Sequence, residues 1–274
     1  MHVDPSALGG QGPLIAALVD DLQRLGVTPG SLLMVHAALR RLGPVDGGAA
    51  SVLDAIEAAA APGGTLVMNL GANDDWDWVN DRPEPERAAL LRDAPPFDHL
   101  TAPADPDVGV LAEVFRTRSG TLVVDHPDGR FGTSGPLAAE LVADPPWDDY
   151  YGPGSLLERF VAHGGRVLRL GADLDTVTLL HYAEYLAPVP DKRRVRRHHL
   201  VPGPSGPEVR AVESLDDSDG IVDHPGEDYF ATILRAYLAT GRAATGTVGT
   251  ARSELLDGPD LVAFAVAWMA HNLS

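Results

Sequence analysis

The sequence predicts an α/β fold with a mixed, mostly parallel central sheet and helices on both faces. Two observations carry this. Three short apolar runs, at 31–36, 65–70 and 166–171, each leave a glycine-bearing turn, at 28–30, 62–64 and 164–165. Each turn follows an apolar-periodic segment of helical length, at 13–25, 49–60 and 155–163. Runs so short and so apolar read as buried strands, and strands alternating with helices call for a sheet covered on both faces.

The elements follow in order. The first helix has Pro13 near its start and Gly26 just past its end, the usual asymmetry of helix termini. After the second strand, residues 73–106 are polar, acidic and proline-rich, with one short helical stretch at 84–92. They read as a long excursion over one face, and long loops are often functional. A helix is expected at 176–186, then a hairpin pairing 195–201 with 209–212 around a Pro/Gly-rich turn at 202–207. Helices at 228–240 and 259–272 complete the chain, and with no convincing linker residues 1–274 read as one domain. In such sheets ligands gather beyond the carboxyl ends of the strands, which points to the loops starting at His36, Gly71 and Gly171.

Composition narrows the function. No segment approaches the roughly 20 apolar residues of a membrane span, and the first twelve residues lack a secretory pattern, so a cytoplasmic protein is expected. With no cysteine in its 274 residues, the chain has no thiolate metal site and no cysteine to carry an acyl group. A formal net charge of -18 repels nucleic acid and anionic membranes and favours cationic ligands in any cleft where carboxylates gather. The same charge also serves solubility.

Four groups of residues carry candidate chemistry. Thr178, His181 and Glu184 fall at i, i+3 and i+6, on one stripe if the segment is helical. A carboxylate beside a histidine fixes its tautomer and stabilises the imidazolium, as a general base requires; a packed, hydrogen-bonded histidine fits the same pattern. Asp74, Asp75 and Asp77 interleave with Trp76 and Trp78, and Glu213, Asp216, Asp217 and Asp219 follow the hairpin. Carboxylates and indoles suit a polyamine sugar, though acidic loops are also simply solvated. In the turn-rich stretch 125–136, Thr133, Ser134 and Gly135 precede a helix whose start suits an anionic oxygen or an ordinary cap. The basic run at 192–199 suits either the phosphates of a nucleotide cofactor or a charged strand edge. His126 and Asp128 lie close in sequence, but no HExxH, HxH or comparable set of metal ligands is present, so no metal is expected.

Together, VHAALRRLGPVDGG at 35–48, HPDGRFGTSGPLA at 126–138, the segment 154–184 ending TLLHYAE, and DKRRV at 191–195 resemble the aminoglycoside 3-N-acetyltransferases of the antibiotic N-acetyltransferase family. The resemblance runs from Leu25 to the last helix. It implies an α/β fold distinct from GCN5-type acetyltransferases, acetyl-coenzyme A as donor, a cationic aminoglycoside as acceptor, and a monomer or homodimer. The family's Thr-x-x-His-x-x-Glu element falls on Thr178, His181 and Glu184, which makes His181 the base. Asp75, Trp76, Tyr151, Glu213 and Asp216 then become aminoglycoside ligands, and His36, Ala37, Ala38, Leu39, Thr133, Ser134, Gly135 and Ser155 line the coenzyme. The chain departs from its relatives at Ala37 and Ala38, where a hydroxyl is usual, at Tyr151, where some carry histidine, and at Arg130 and Phe131 in the HPD loop. Two alternatives stay open: an acyltransferase acting on another amine, and a noncatalytic binder of cationic sugars.

Overall fold

The structure, a computed structural model, describes residues 12–72, 76–226 and 228–273. Its elements run α1 (Gly12–Leu25), β1 (Leu32–Ala37), α2 (Gly48–Ala60), β2 (Thr65–Asn69), α3 (Glu84–Leu91) and α4 (Val110–Arg116). Next come β3 (Leu122–Val123), β4 (Phe131–Ser134), α5 (Ala138–Val142), α6 (Leu156–Ala162), β5 (Arg166–Leu170) and α7 (Leu180–Leu186). The remainder is β6 (Arg194–Val201), β7 (Glu208–Leu215), α8 (Tyr229–Ala239), β8 (Ala244–Val248), β9 (Ala251–Asp257) and α9 (Gly258–Asn272). The main sheet has the order β3-β4-β2-β1-β5-β9-β8, and β6 and β7 form a separate hairpin.

The sheet is mixed, as predicted, but "mostly parallel" needs correction. Parallel pairing is confined to the centre, where β1 lies between β2 and β5. The flanking strands β4, β3, β9 and β8 all pair antiparallel. Their connections explain it: β8 turns into β9 through Gly249 and Thr250 alone, and a two-residue turn can only reverse direction. These four strands gave little signal in the sequence. β4 is built largely of small residues, with Gly132 letting the Phe115 ring approach to 3.2 Å from where a Cβ would lie, and β8 is a largely exposed edge.

Alternation along the strands sorts the core into two layers. Leu33, Val35, Leu66, Met68, Leu168 and Leu170 pack with α1, α2 and α4 on one face. Leu32, Met34, Val67 and Val167 pack with α6, α7, α8 and α9 on the other. His36 continues the Leu32 and Met34 face, with its neighbour Arg169 alongside on β5.

The expected helix at 176–186 begins later, at Leu180. The carbonyl of Asp173 accepts both the backbone N–H and the hydroxyl of Thr176, which closes a turn that delays the helix. The excursion docks through a small cluster of Val79, Leu91, Ala94 and Leu200. Its return is pinned by the fully buried Arg130, which donates to the carbonyls of Pro103 (2.8 Å) and Ala102 (2.7 Å). Among the described residues, no helix is long and apolar enough to cross a membrane.

Candidate active site

The candidate site gathers at the carboxyl end of β2, where Asn69 and Gly71 border a cavity that His181 also lines. His181, in the first turn of α7, bonds through Nδ1 to Glu184 Oε2 at 2.8 Å, one turn along the same helix. A carboxylate only accepts, so Nδ1 carries the hydrogen and Nε2 of the neutral ring keeps the lone pair; His181 lines two cavities. Tyr151 stacks on the imidazole at 5.1 Å and Phe230 meets it edge-on at 4.8 Å. Burial opposes protonation of His181, but the charge of Glu184, the hydrogen bond to it, and the more distant Asp217 and Asp228 outweigh burial and raise its pKa. Thr178 lies in the turn before α7 rather than on a helical stripe; its hydroxyl accepts from Asn69 Nδ2 at 3.3 Å and ties the dyad to the end of β2.

The two cavities meeting at His181 are acidic. One, of about 220 Å³, is bordered by Asp175, Glu184, Asp217, Asp219 and Asp228. The other, of about 260 Å³, contains Asp105, Asp128, Tyr151, Arg197 and Asp217, with Asn69 and Gly71 from the end of β2. Asp217 accepts from Arg197 (2.8 Å) and from the Tyr150 hydroxyl (2.5 Å). Asp128 is buried and bonded to His199 Nε2 at 3.0 Å. Burial would raise its pKa, but the His199 hydrogen bond and nearby cationic groups hold it below the usual carboxylate range. His126 Nδ1 accepts the backbone N–H of Asp128 (3.1 Å) and Gly129 (2.8 Å), so its Nε2 carries the hydrogen and donates to the Trp147 carbonyl. His126 therefore shapes the loop, and burial keeps it neutral by lowering its pKa.

A third, larger cavity of about 600 Å³ takes in the loop after β5 and is lined by Arg41, Arg169, Arg235 and Arg252 together with Asp173 and Glu254. Arg41 donates to the Gly171 carbonyl (2.6 Å) and Asp173 (2.7 Å), which clamps the chain after His36, Ala37, Ala38 and Leu39 against this loop. The Ala38 N–H bonds to the Leu170 carbonyl. His36 Nε2 is buried without a hydrogen-bond partner; burial, then repulsion from Arg169, lowers its pKa to about 3, so it is neutral.

Not every expected residue arrives. Thr133, Ser134 and Gly135 lie at the opposite end of the sheet, where Ser134 registers with Leu66. A Cβ on Gly135 would fall 2.3 Å from the Gly64 carbonyl oxygen, and the Thr133 hydroxyl is spent on the Ala138 carbonyl. Thr133 and Ser134 end β4 and Gly135 begins the turn after it; β4 runs antiparallel to β2 and carries all three away from His181. Ser155 is fully buried, and its hydroxyl accepts from Leu157 and Glu158 N–H as the cap of α6. Glu213 is exposed and turned to Arg194, while Asp216 accepts from Ser218 and Asp219 N–H in a turn. Asp217, one residue on, is the carboxylate that lines both cavities. Trp76 stacks on Trp78 at 6.0 Å and packs on the excursion's own cluster. Asp75 lies outside the described residues, as does Asp74. The basic run at 192–199 leads into β6, and Arg193, Arg194 and Arg197 pair with carboxylates, which supports a charged strand.

Tyr229 was left out of the sequence reading altogether. Asp128 was weighed only as a metal ligand beside His126, Arg197 only within the basic run, and nothing in the sequence told Asp217 from its acidic neighbours.

Residues 34–270 match the family described as aminoglycoside 3-N-acetyltransferase. Aminoglycoside N(3)-acetyltransferase III of Serratia marcescens is 42% identical over 269 residues, which cover 94% of this chain and 97% of that protein. Two solved structures have the same fold: AAC-IIIb bound to CoASH (TM-score 0.89, 38% identity, covering 95% of this chain and 97% of that one) and sisomicin-bound AAC-VIa (TM-score 0.88, 36% identity, covering 95% and 98%). A histidine–carboxylate dyad set between acidic cavities on this fold, with similarity along nearly the whole chain, makes this protein a member of the aminoglycoside 3-N-acetyltransferase family.

Proposed function

We propose that this protein transfers the acetyl group of acetyl-coenzyme A to the 3-amine of 2-deoxystreptamine aminoglycosides, and so inactivates the drug. The observation that carries this is the His181–Glu184 dyad at the junction of two acidic cavities. Relatives of the same fold are bound to a coenzyme in one case and to an aminoglycoside in another, which supports both halves of the reaction. The cytoplasm, where acetyl-coenzyme A is made, is the compartment that fits.

The acetyl thioester supplies the activated acyl group. Aminoglycoside amines are protonated near neutral pH and cannot attack in that form, so the ammonium first gives one proton to solvent; His181 Nε2 then takes a second proton as the neutral amine nitrogen bonds to the carbonyl carbon. Glu184 steadies the imidazolium through Nδ1. As the carbon–sulfur bond breaks, His181 returns the proton to the departing sulfur, which closes the cycle without an acyl-enzyme. Asp217, Asp128 and Asp105 in one cavity, with Asp175 and Asp228 in the other, hold the remaining ammonium groups, and Tyr151 forms part of the wall beside the reacting amine.

The coenzyme's phosphate-bearing end belongs in the arginine-rimmed cavity, with its arm passing the segment of His36, Ala37, Ala38 and Leu39. α8 links the two regions: Phe230 touches His181, Leu238 lines the arginine cavity, and the helix rises roughly 12 Å between them. That separation suits a cofactor whose phosphates lie a long arm away from its thioester.

The experiment is thiol release from acetyl-coenzyme A, with and without a panel of 2-deoxystreptamine drugs, and the acetylated position read by mass spectrometry and NMR. Drug-dependent release with 3-N-acetylation supports the reading. Coenzyme binding without release on any member of the panel points to another amine, and no coenzyme binding leaves only a cationic-sugar binder.

A further inference from the structure

Glu184 has two oxygens, and the dyad uses one. The other, Oε1, accepts a hydrogen bond from the hydroxyl of Tyr229 in the first turn of α8. The Tyr229 oxygen in turn accepts the backbone N–H of Ile221 at 3.1 Å, which fixes the direction in which it donates. A continuous chain thus runs from Ile221 N–H through the phenol and the carboxylate to His181 Nδ1. Both interior members are nearly sealed from solvent, Glu184 at 1% exposure and Tyr229 at 5%.

The surroundings hold the phenol in place. Asp228 caps α8 by accepting from the N–H groups of Phe230 (2.7 Å) and Ala231 (3.3 Å), which sets the turn that carries Tyr229. On the ring's other side, Gly220 has φ +79 and no room for a side chain, since a Cβ would lie 2.8 Å from Tyr229 Cε1. Burial, reinforced by Glu184, raises the pKa of the phenol, so it keeps its proton for donation.

We propose that Tyr229 is a positioning residue for acyl transfer: its hydroxyl fixes Glu184 so that the free carboxylate oxygen meets His181 Nδ1 and Nε2 faces the acceptor amine. This rests on His181 being the base. A donor on Oε1 also draws charge away from Oε2, so Tyr229 limits how tightly Glu184 holds the imidazolium proton. The other groups around His181 are Asp217 after β7, Asp228 and Phe230 at the start of α8, Asp175 before α7, and Tyr151; Lys192 faces Glu184, and Arg197 neutralises part of Asp217.

The test pairs Tyr229→Phe, which removes the donor, with 3-fluorotyrosine incorporated at position 229, a stronger donor, both in nearly the same volume. NMR of the His181 ring in the protein without ligands gives its titration midpoint, and the pH profile of kcat/KM for the aminoglycoside gives the kinetic one. Tyr229→Phe should move the NMR midpoint up and lower turnover at neutral pH on the order of tenfold, the scale of a lost buried hydrogen bond to a charged group. Fluorotyrosine should move the midpoint down. A ring midpoint unmoved in both proteins overturns the role of Tyr229. Ring midpoints that move in opposite directions while the rate profile stays fixed leave Tyr229 controlling His181 and overturn His181 as the base.

Discussion

Asp217 is clasped by Arg197 at 2.8 Å and still faces both cavities that meet at His181. The guanidinium has two effects. It spends part of the Asp217 charge, which weakens attraction for a substrate ammonium, and it holds the carboxylate in one orientation, which removes the entropy of finding it. Arg197 in turn depends on this carboxylate: burial would lower the arginine's pKa, but the charge of Asp217 and its hydrogen bond, together with Tyr150 and Asp128, raise it.

Asp217→Asn should therefore act on acceptor binding more than on chemistry. It removes one charge and leaves Arg197 less well neutralised inside a cavity meant for cations. KM for aminoglycosides should rise roughly ten- to hundredfold with a smaller change in kcat. Steady-state kinetics at low and high salt would show it, with the defect shrinking as salt screens both proteins.

His181→Ala should abolish most turnover, by a factor on the order of 10² to 10⁴, while coenzyme binding persists. Calorimetric titration with coenzyme A, alongside thiol release, separates the two. Near-normal turnover would remove His181 from the mechanism.

The raised pKa of His181 fixes the sign of the pH dependence. The imidazole is a base only when unprotonated, so kcat/KM for the acceptor should climb with pH through a midpoint above the ordinary 6.5. Stability runs the other way. A group whose folded pKa lies above its unfolded value stabilises fully below the unfolded value, and that contribution is lost as pH rises through the folded one. Thermal melts of wild type and His181→Gln from pH 5 to 9 should converge toward the alkaline end.

Arg252 tests the coenzyme cavity more cleanly than Arg41, whose guanidinium also holds the loop after β5. The Arg252 side chain is 79% exposed, so Arg252→Ala should leave the fold intact. Kd for coenzyme A should rise about three- to tenfold, the scale of one exposed charge-assisted contact to phosphate. The change should vanish when the probe is pantetheine, which has no phosphate.

Arg130→Met would remove two buried donors that hold the returning arm of the excursion and strand the carbonyls of Ala102 and Pro103. A loss of about 2 to 4 kcal/mol is expected, as for a broken buried network. Chemical denaturation measures it, and limited proteolysis should show earlier cleavage within residues 73–106.

Much of the fold was legible because its evidence was local. The helices that became α1, α2, α6, α8 and α9 declared themselves through apolar periodicity and their ends, and β1, β2 and β5 through apolar runs after glycine turns. The delayed start of α7 was not legible, since it turns on which backbone groups the Asp173 carbonyl captures. Nor was the antiparallel pairing of β4 with β2, which took Thr133, Ser134 and Gly135 to the wrong end of the sheet.

The same division applies to the site. The sequence by itself determined the family, the dyad and the acidic character, because His181 and Glu184 lie one helical turn apart and charge composition needs no coordinates. Only the tertiary structure decided that Asp217 and not Asp216 lines the cavities at His181, that Asp128 joins it from a loop 89 positions away in the chain, and that Tyr229 closes on Glu184. Those choices depend on which side chains a turn points inward and which distant segments it meets, and such long-range contacts leave no periodicity in a single sequence.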